Sequence, residues 1–252
     1  AATLADVIAY NKKYYVPNNA VLVVAGDIDL GKTKKMVKDY FGSIPKGENI
    51  TRNYPKETPI TQQKNAKFYD SNIQIPASMI AYRTPGFKER DAYVLDVIST
   101  YLSDGPSSKL YKKMVDDQKQ ALQVGAFNIS QEDYGMYVVF GLPIGETSLE
   151  VLTIEMEEEI EKVRTTLISE KDYQKIQNKF ENQFVNSNSS VEGIANSLAR
   201  YYLLYGDTSL INKEIDIYRS ISREEIKEVA TRYLNPNQRL LLEYLPEENT
   251  AN

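Results

Sequence analysis

The 252-residue sequence contains no histidine, no cysteine and no tryptophan. The first absence excludes every site that needs imidazole: a zinc centre built on histidine, a Ser-His-Asp triad, or a Cys-His pair. The second excludes disulfides and thiolate ligands and leaves the redox compartment open. Long hydrophobic runs are missing as well. Apolar stretches such as Ala20–Ala25 fall far short of the roughly 20 residues that cross a bilayer, so no membrane span is expected. Lysine and arginine do not cluster, and 30 basic against 35 acidic residues leave a net charge of −5, which argues against nucleic acid as a partner. The 12 glycines form neither GxxxxGK nor GxGxxG, so nucleotide binding has no support.

What is present suffices for a sizeable core, since 42% of residues are hydrophobic and 26% charged, ordinary values for a globular protein. The most informative pattern is an internal repeat. Near the start, Thr3 is followed by Asp6, Val7, Tyr14, Pro17-Asn18 and the run Val21–Val24. Near the end, Ser222, Glu225, Ile226, Tyr233, Pro236-Asn237 and Leu240–Leu242 follow in the same order, with the two prolines 219 residues apart. In each copy a hydroxyl side chain can cap a helix whose first turn carries an acidic residue. The proline then stops the helix, and the apolar run reads as a buried strand. That spacing is domain-sized. The chain is expected to hold the closing segment of one unit followed by a whole second unit.

A helix carried by Val37, Tyr40 and Phe41 ends at Gly42 and Pro45, and residues 46 to 64 have linker composition, with Gly47, Pro55 and Pro59. The expected boundaries are residues 1–45 for the first segment, 46–65 for the linker and 66–252 for the second domain. Strands are expected at Ala66–Tyr69, Ser78–Arg83, Leu122–Ile129, Gly135–Leu142 and Arg239–Tyr244. Helical spacing runs through Val94–Leu102, Ser148–Leu167, Glu170–Val185, Ile194–Tyr205 and Ile226–Tyr233. One more helix is expected after Gly105-Pro106-Ser107-Ser108, with a serine as its cap. Strand pairs segregated from helix runs predict an α+β fold, an antiparallel-rich sheet packed against several helices. Tyr101, Tyr173, Tyr201 and Tyr233 fall at core spacing and are expected to pack. The glutamates between Glu155 and Glu161 are expected to form a solvated helix face, with an all-carboxylate Ca²⁺ or Mg²⁺ site as the alternative. A Ser-Lys dyad using Lys109 is disfavoured beside cap and turn roles for the serines.

Two motifs carry a family resemblance. The first runs from Tyr14 through Pro17-Asn18-Asn19 and Val21–Val24 to Gly26-Asp27. It resembles the closing segment of a domain in the pitrilysin (insulinase) type zinc peptidases, which include the mitochondrial processing peptidase. The second, Gly105-Pro-Ser-Ser-Lys109-Leu110-Tyr111 continuing to Asp117, resembles a loop and helix of that family's second domain. The resemblance covers essentially the whole chain. It implies a metallopeptidase half-subunit fold, with two similar domains facing each other across a peptide-holding chamber. One domain of such a pair carries the inverted His-x-x-Glu-His motif, placed well before the Tyr-x-x-Pro-Asn-Asn segment.

The resemblance therefore implies a non-catalytic domain: no catalytic residue, no metal ligand and no cofactor in this chain. Zinc is expected only in a separate catalytic domain or subunit of the same family, the implied partner, with a peptide as substrate. Active relatives supply an Arg and, seven residues on, a Tyr that hold substrate or the developing oxyanion. Aligned on Lys109-Leu110-Tyr111, these positions are Val115 and Leu122, neither of which can donate a hydrogen bond. Lys119 and Tyr134 are polar side chains nearby in sequence. The implied role is one wall of the chamber. The alternatives are a structural or assembly scaffold without peptidase activity, and a part of an active zinc endopeptidase whose zinc half lies outside this sequence.

Overall fold

In the computed structural model, residues 2–51, 54–55 and 58–247 are described. Residues 52–53 and 56–57 of the expected linker lie outside them. In chain order the elements are α1 (Leu4–Tyr14), α2 (Leu30–Phe41), β1 (Lys64–Asp70), β2 (Ala77–Pro85), α3 (Arg90–Ser103), a π-helix (Tyr111–Asp117), β3 (Ala121–Ile129) and β4 (Tyr134–Pro143). They continue with α4 (Leu149–Thr165), α5 (Glu170–Ser187), α6 (Val191–Tyr205), α7 (Leu210–Arg219), α8 (Arg223–Tyr233) and β5 (Arg239–Pro246). None of the described helices is long and apolar enough to cross a membrane. Packing divides the chain into two compact units, residues 1–57 with 182–214, and residues 58–181 with 215–252.

In the first unit, Thr3 opens α1 with a closed capping box. Its hydroxyl accepts the Asp6 N–H and its own N–H donates to the Asp6 carboxylate at 2.8 Å. Asp29 caps α2 by accepting the Lys32 N–H at 2.8 Å. The Asn18 side-chain carbonyl accepts the Gly47 N–H at 2.9 Å. Gly206 ends α6 at φ 72°, a left-handed cap that a side chain would strain. Tyr201 is buried as expected, and its hydroxyl donates to Glu214 at 2.6 Å. Burial first, and then that carboxylate, raise its ionisation above the usual tyrosine value.

The first repeat departs from expectation at Val21–Val24, which form no strand and leave Leu22 and Val24 exposed. A β-prone run becomes a strand only with a ladder partner, and among the described residues none lies beside it. The helix face before it is bare too. Val7 and Tyr10 are exposed, whereas Ile226 and Val229, their counterparts in α8, are buried in the core. Helix α7 was not anticipated, although Ile211, Ile215 and Tyr218 have helical spacing.

The second unit rests on a five-stranded sheet in the order β1-β5-β2-β4-β3, with β1 parallel to β5 and the other neighbours antiparallel. This is the antiparallel-rich α+β arrangement expected. The last strand is inserted between the first two, Leu241 pairing with Asn65 on one side and Ile80 on the other. Alternation sends Ile80, Tyr82, Tyr137 and Val139 to the face covered by α3, α4 and α8. Ile98 and Leu102 of α3, Leu152 and Met156 of α4, and Ile226 of α8 complete that core. Burial of each such side chain contributes about 1.5–3 kcal/mol. Tyr101, Tyr173 and Tyr233 pack against it as expected.

Polar pins set how helices meet strands and each other. Ser78 and Thr153 share a 2.6 Å hydrogen bond, Asn128 donates to Asp96 at 3.1 Å and to the Ala92 carbonyl at 3.2 Å, and Asp91 accepts from Arg232 at 2.6 Å and Tyr233 at 2.9 Å.

On the other sheet face, a Cβ built on Gly125 would lie 2.3 Å from the Phe140 ring. Gly125→Ala is therefore expected to cost about 1–3 kcal/mol, read as a lowered urea midpoint at unchanged m-value. Phe140→Ala should abolish most of that difference, and an equal cost in both backgrounds would disprove the clash.

Candidate functional site

The sheet face away from the helices is mostly apolar, with Lys64 and Arg83 among its charged members. Strand register places Phe68, Leu240, Leu242, Met79, Ala81, Val138, Phe140 and Phe127 on it. Phe68 is 54% exposed, Met136 43% and Phe127 42%. The Phe127 and Phe140 rings lie 5.8 Å apart, and Phe68 stacks on Tyr244 at 5.4 Å. Arg83 stands over the Tyr134 ring at 5.0 Å, which occupies the tyrosine noted as a polar neighbour in the sequence. An exposed apolar area of this kind marks an interaction surface. Its borders are the edge strands β1 and β3.

The Gly105–Asp117 motif forms a corner leading into β3. Ser108 does not cap a helix; its hydroxyl donates to the Gly105 carbonyl at 2.7 Å, and Gly105 sits at φ 90°. The helix that follows is of π type, not the α-helix expected. Leu110, just before it, and Met114 within it are buried in the core, while Lys113 reaches α4. The Gln118 and Gln120 N–H groups close it onto the Lys113 and Met114 carbonyls, both at 2.9 Å. Lys119 then reverses the chain at φ 55°, a left-handed conformation uncommon outside glycine. π-Helices and such outliers concentrate at functional sites.

Lys113 is the charge hub of this corner. Its ammonium lies 2.5 Å from Glu155, 2.7 Å from Glu158 and 3.6 Å from Glu159. Glu159 also meets Lys162 at 2.6 Å, Glu157 meets Arg239 at 2.5 Å, and Glu161 meets Arg164. The expectation of a solvated glutamate face holds for Glu158 and Glu161, which are exposed, and is corrected for the others. Glu155 and Glu159 are largely buried, and the run is neutralised by lysines and arginines brought from other elements and from α4 itself. Burial opposes the charged forms of Lys113 and Glu155, but their mutual hydrogen bond and attraction outweigh it. The lysine is held above its usual range and the carboxylate below its own.

Val115, on the same π-helix, is half-buried against the core, while Leu122 is exposed beside an irregularity in the β3–β4 register at Ala121 and Gln123. The π-helix packs on β3, so both lie at one corner, one side chain turned inward and one outward. Nothing in the sequence distinguished Lys113 from its neighbour Lys112, and only the fold reveals its role. Lys109 is ion-paired with Asp172 at 2.8 Å and lies 5.2 Å above the Tyr101 ring. With Lys109 held by Asp172 and the Ser108 hydroxyl turned to the Gly105 carbonyl, the Ser108–Lys109 dyad is not assembled. Burial pushes Tyr101 up to about 12, with Asp172 and Glu159 adding to it.

The model of the peptidase M16 inactive domain matches residues 1–180. The chain belongs to that family. Among M16 relatives it is 24% identical over 238 residues to the zinc protease PqqE of Helicobacter pylori, covering 94% of this chain and 53% of the relative. It spans about half the length of the curated relatives it matches. A protease structure from Helicobacter pylori superposes with a TM-score of 0.89 at 24% identity, over 97% of this chain and 60% of the other. The M16 inactive domain from Pseudomonas fluorescens gives 0.81 at 15% identity, over 97% and 57%. These likenesses show the shared fold.

Zinc, implied by the relatives' names, does not fit the donors available in this M16 domain. It has neither imidazole nor thiolate, and among the described residues no three Asp or Glu side chains are grouped to hold a metal ion. The carboxylates nearest to such a group surround the Lys113 ammonium instead. No catalytic step is assigned to this chain.

Lys113→Met removes the counter-ion of two largely buried carboxylates and is expected to destabilise by about 1–3 kcal/mol at neutral pH. Glu155 is depressed in the folded state, so its contribution is full above its ordinary value of 4.5 and fades as pH falls through the lower folded value. Thermal melts from pH 7 to 3 should show this acid limb in the parent protein and a flatter one in Lys113→Met. Equal limbs would remove the hub from the account.

Proposed function

We propose that this domain is the non-catalytic wall of a chamber that encloses an extended peptide, partnered by a zinc-bearing catalytic domain of the same family. One observation carries the reading: a chain without zinc ligands keeps an uncovered apolar sheet face that runs out to an edge strand. The apolar face supplies the docking area for the partner. The outer edge of β3 supplies main-chain groups to which an extended peptide can pair as an added strand. Leu122 lies at the start of that edge and Val115 on the adjoining π-helix; they contribute shape, since neither can hold an oxyanion.

Residues 1–45 are proposed to be the closing segment of a similar domain, residues 46–65 the linker, and residues 66–252 the second domain. The exposed faces of Val7 and Tyr10, opposite the buried Ile226 and Val229 in the other repeat, support this. They are complementary to a sheet of the kind that α8 covers. The apolar residues at positions 115 and 122 favour a second reading, an assembly scaffold in which no hydrolysis takes place.

Zinc content and cleavage of a quenched peptide, measured on this chain and on the full-length protein, separate these readings. Zinc and cleavage in the full-length protein alone are the expected result. Zinc absent from both would establish the scaffold, and zinc-dependent cleavage by this chain alone would overturn both readings. In the active full-length protein, Phe127→Asp with Met136→Asp on the apolar face should lower cleavage at least about tenfold by weakening docking. Limited proteolysis should cut first between Lys46 and Lys64; first cleavage within Leu149–Tyr205 would refute the proposed boundary.

A further inference from the structure

A groove of about 510 Å³ lies along the opposite edge of the sheet, on the side of the helices. Helix α4 covers β2 and β4 but leaves a trough over β5 and β1. Its floor is Asn65, Lys67, Leu241 and Glu243, and its wall is Glu150 and Ile154. The trough opens onto the edge of β1, where every residue from Lys64 to Tyr69 is exposed. Because β1, among the described residues, pairs with β5 on one side only, main-chain groups on its other side are directed outward.

Alternation along β1 gives the two sides of this edge different chemistry. Lys67 is turned to the trough, where it meets Glu243 at 2.8 Å, and Phe68 is turned to the other face, against Tyr244. The trough is acidic. Glu150, Glu157 and Glu243 line it with the ammonium of Lys67, and Arg239, which meets Glu157, is nearly buried beneath. The Lys67–Glu243 pair is solvent-exposed on both sides, so an incoming cation can exchange into it at little cost.

We propose that the β1 edge binds an extended polypeptide segment that alternates basic and apolar side chains, added to the sheet as a sixth strand. The basic side chains enter the trough towards Glu150 and Glu243, and the apolar ones lie beside Phe68. This surface is distinct from β3 and does not depend on the chamber reading.

The test is fluorescence anisotropy with a labelled, end-blocked seven-residue peptide alternating lysine and valine. Its twins carry glutamate in place of lysine, or a central proline that removes a main-chain N–H. Binding of the first peptide, with at least roughly tenfold weaker binding of both twins, is expected. Glu150→Lys should weaken the lysine peptide by a similar factor without changing the circular dichroism spectrum. Should that variant unfold, Glu150→Gln is expected to give an intermediate loss. Equal binding of the glutamate or proline twin, or undiminished binding to the Glu150 variant that folds, would overturn the proposal. So would sedimentation showing that the β1 edge is occupied by a second copy of the chain.

Discussion

Insertion of the final strand between the first two is the constraint on which the second unit depends. β5 gives β1 its ladder and gives β2 its second neighbour, so the sheet is not continuous until the end of the chain is in place. The same step seats α8, whose Ile226 and Val229 enter the core with α3 and α4. The first repeat has the same cap, helix and proline, yet its apolar run lies outside any strand. One local sequence plan thus has two outcomes, decided by whether a sheet is there to receive it.

The second organising feature is the way charge is handled around α4. Five glutamates within seven residues would repel one another if left alone. Lys113 from the π-helix, Arg239 from β5, and Lys162 and Arg164 from α4 itself neutralise them in pairs. A cluster that composition alone allows to be a cation site is filled by protein ammonium and guanidinium groups. That use of carboxylates is structural, and it agrees with an inactive member of a peptidase family. The unusual backbone at the corner, a π-helix followed by a left-handed lysine, serves to deliver Lys113 to α4 and to turn the chain into β3.

Much of the architecture was legible because it follows from local rules. Five strand segments, the long helices α3, α4, α5 and α6, and the caps at Thr3 and Ser222 announce themselves through periodicity and end chemistry. The failures have physical causes. Val21–Val24 has every local property of a strand and, among the described residues, lacks a partner. The π-helix has an ordinary α-helical composition, and nothing in its sequence marks the wider turn. At the candidate site, Val115 and Leu122 were named by resemblance, but neither their shared corner nor their opposite orientations could be read from the sequence. The apolar sheet face was invisible as a surface, because it is assembled from alternate residues of all five strands.

By itself, the sequence determined what chemistry is impossible: without imidazole or thiolate, no arrangement of this chain can supply the first shell of a histidine-based zinc site. It also determined the α+β class and the internal repeat, since caps, breakers and side-chain period act within a few residues. Only the tertiary structure decided strand order, which carboxylates are buried, and which of two sheet faces is left bare. Those outcomes depend on contacts between residues far apart in the chain, whose energies exist only once the sheet has closed.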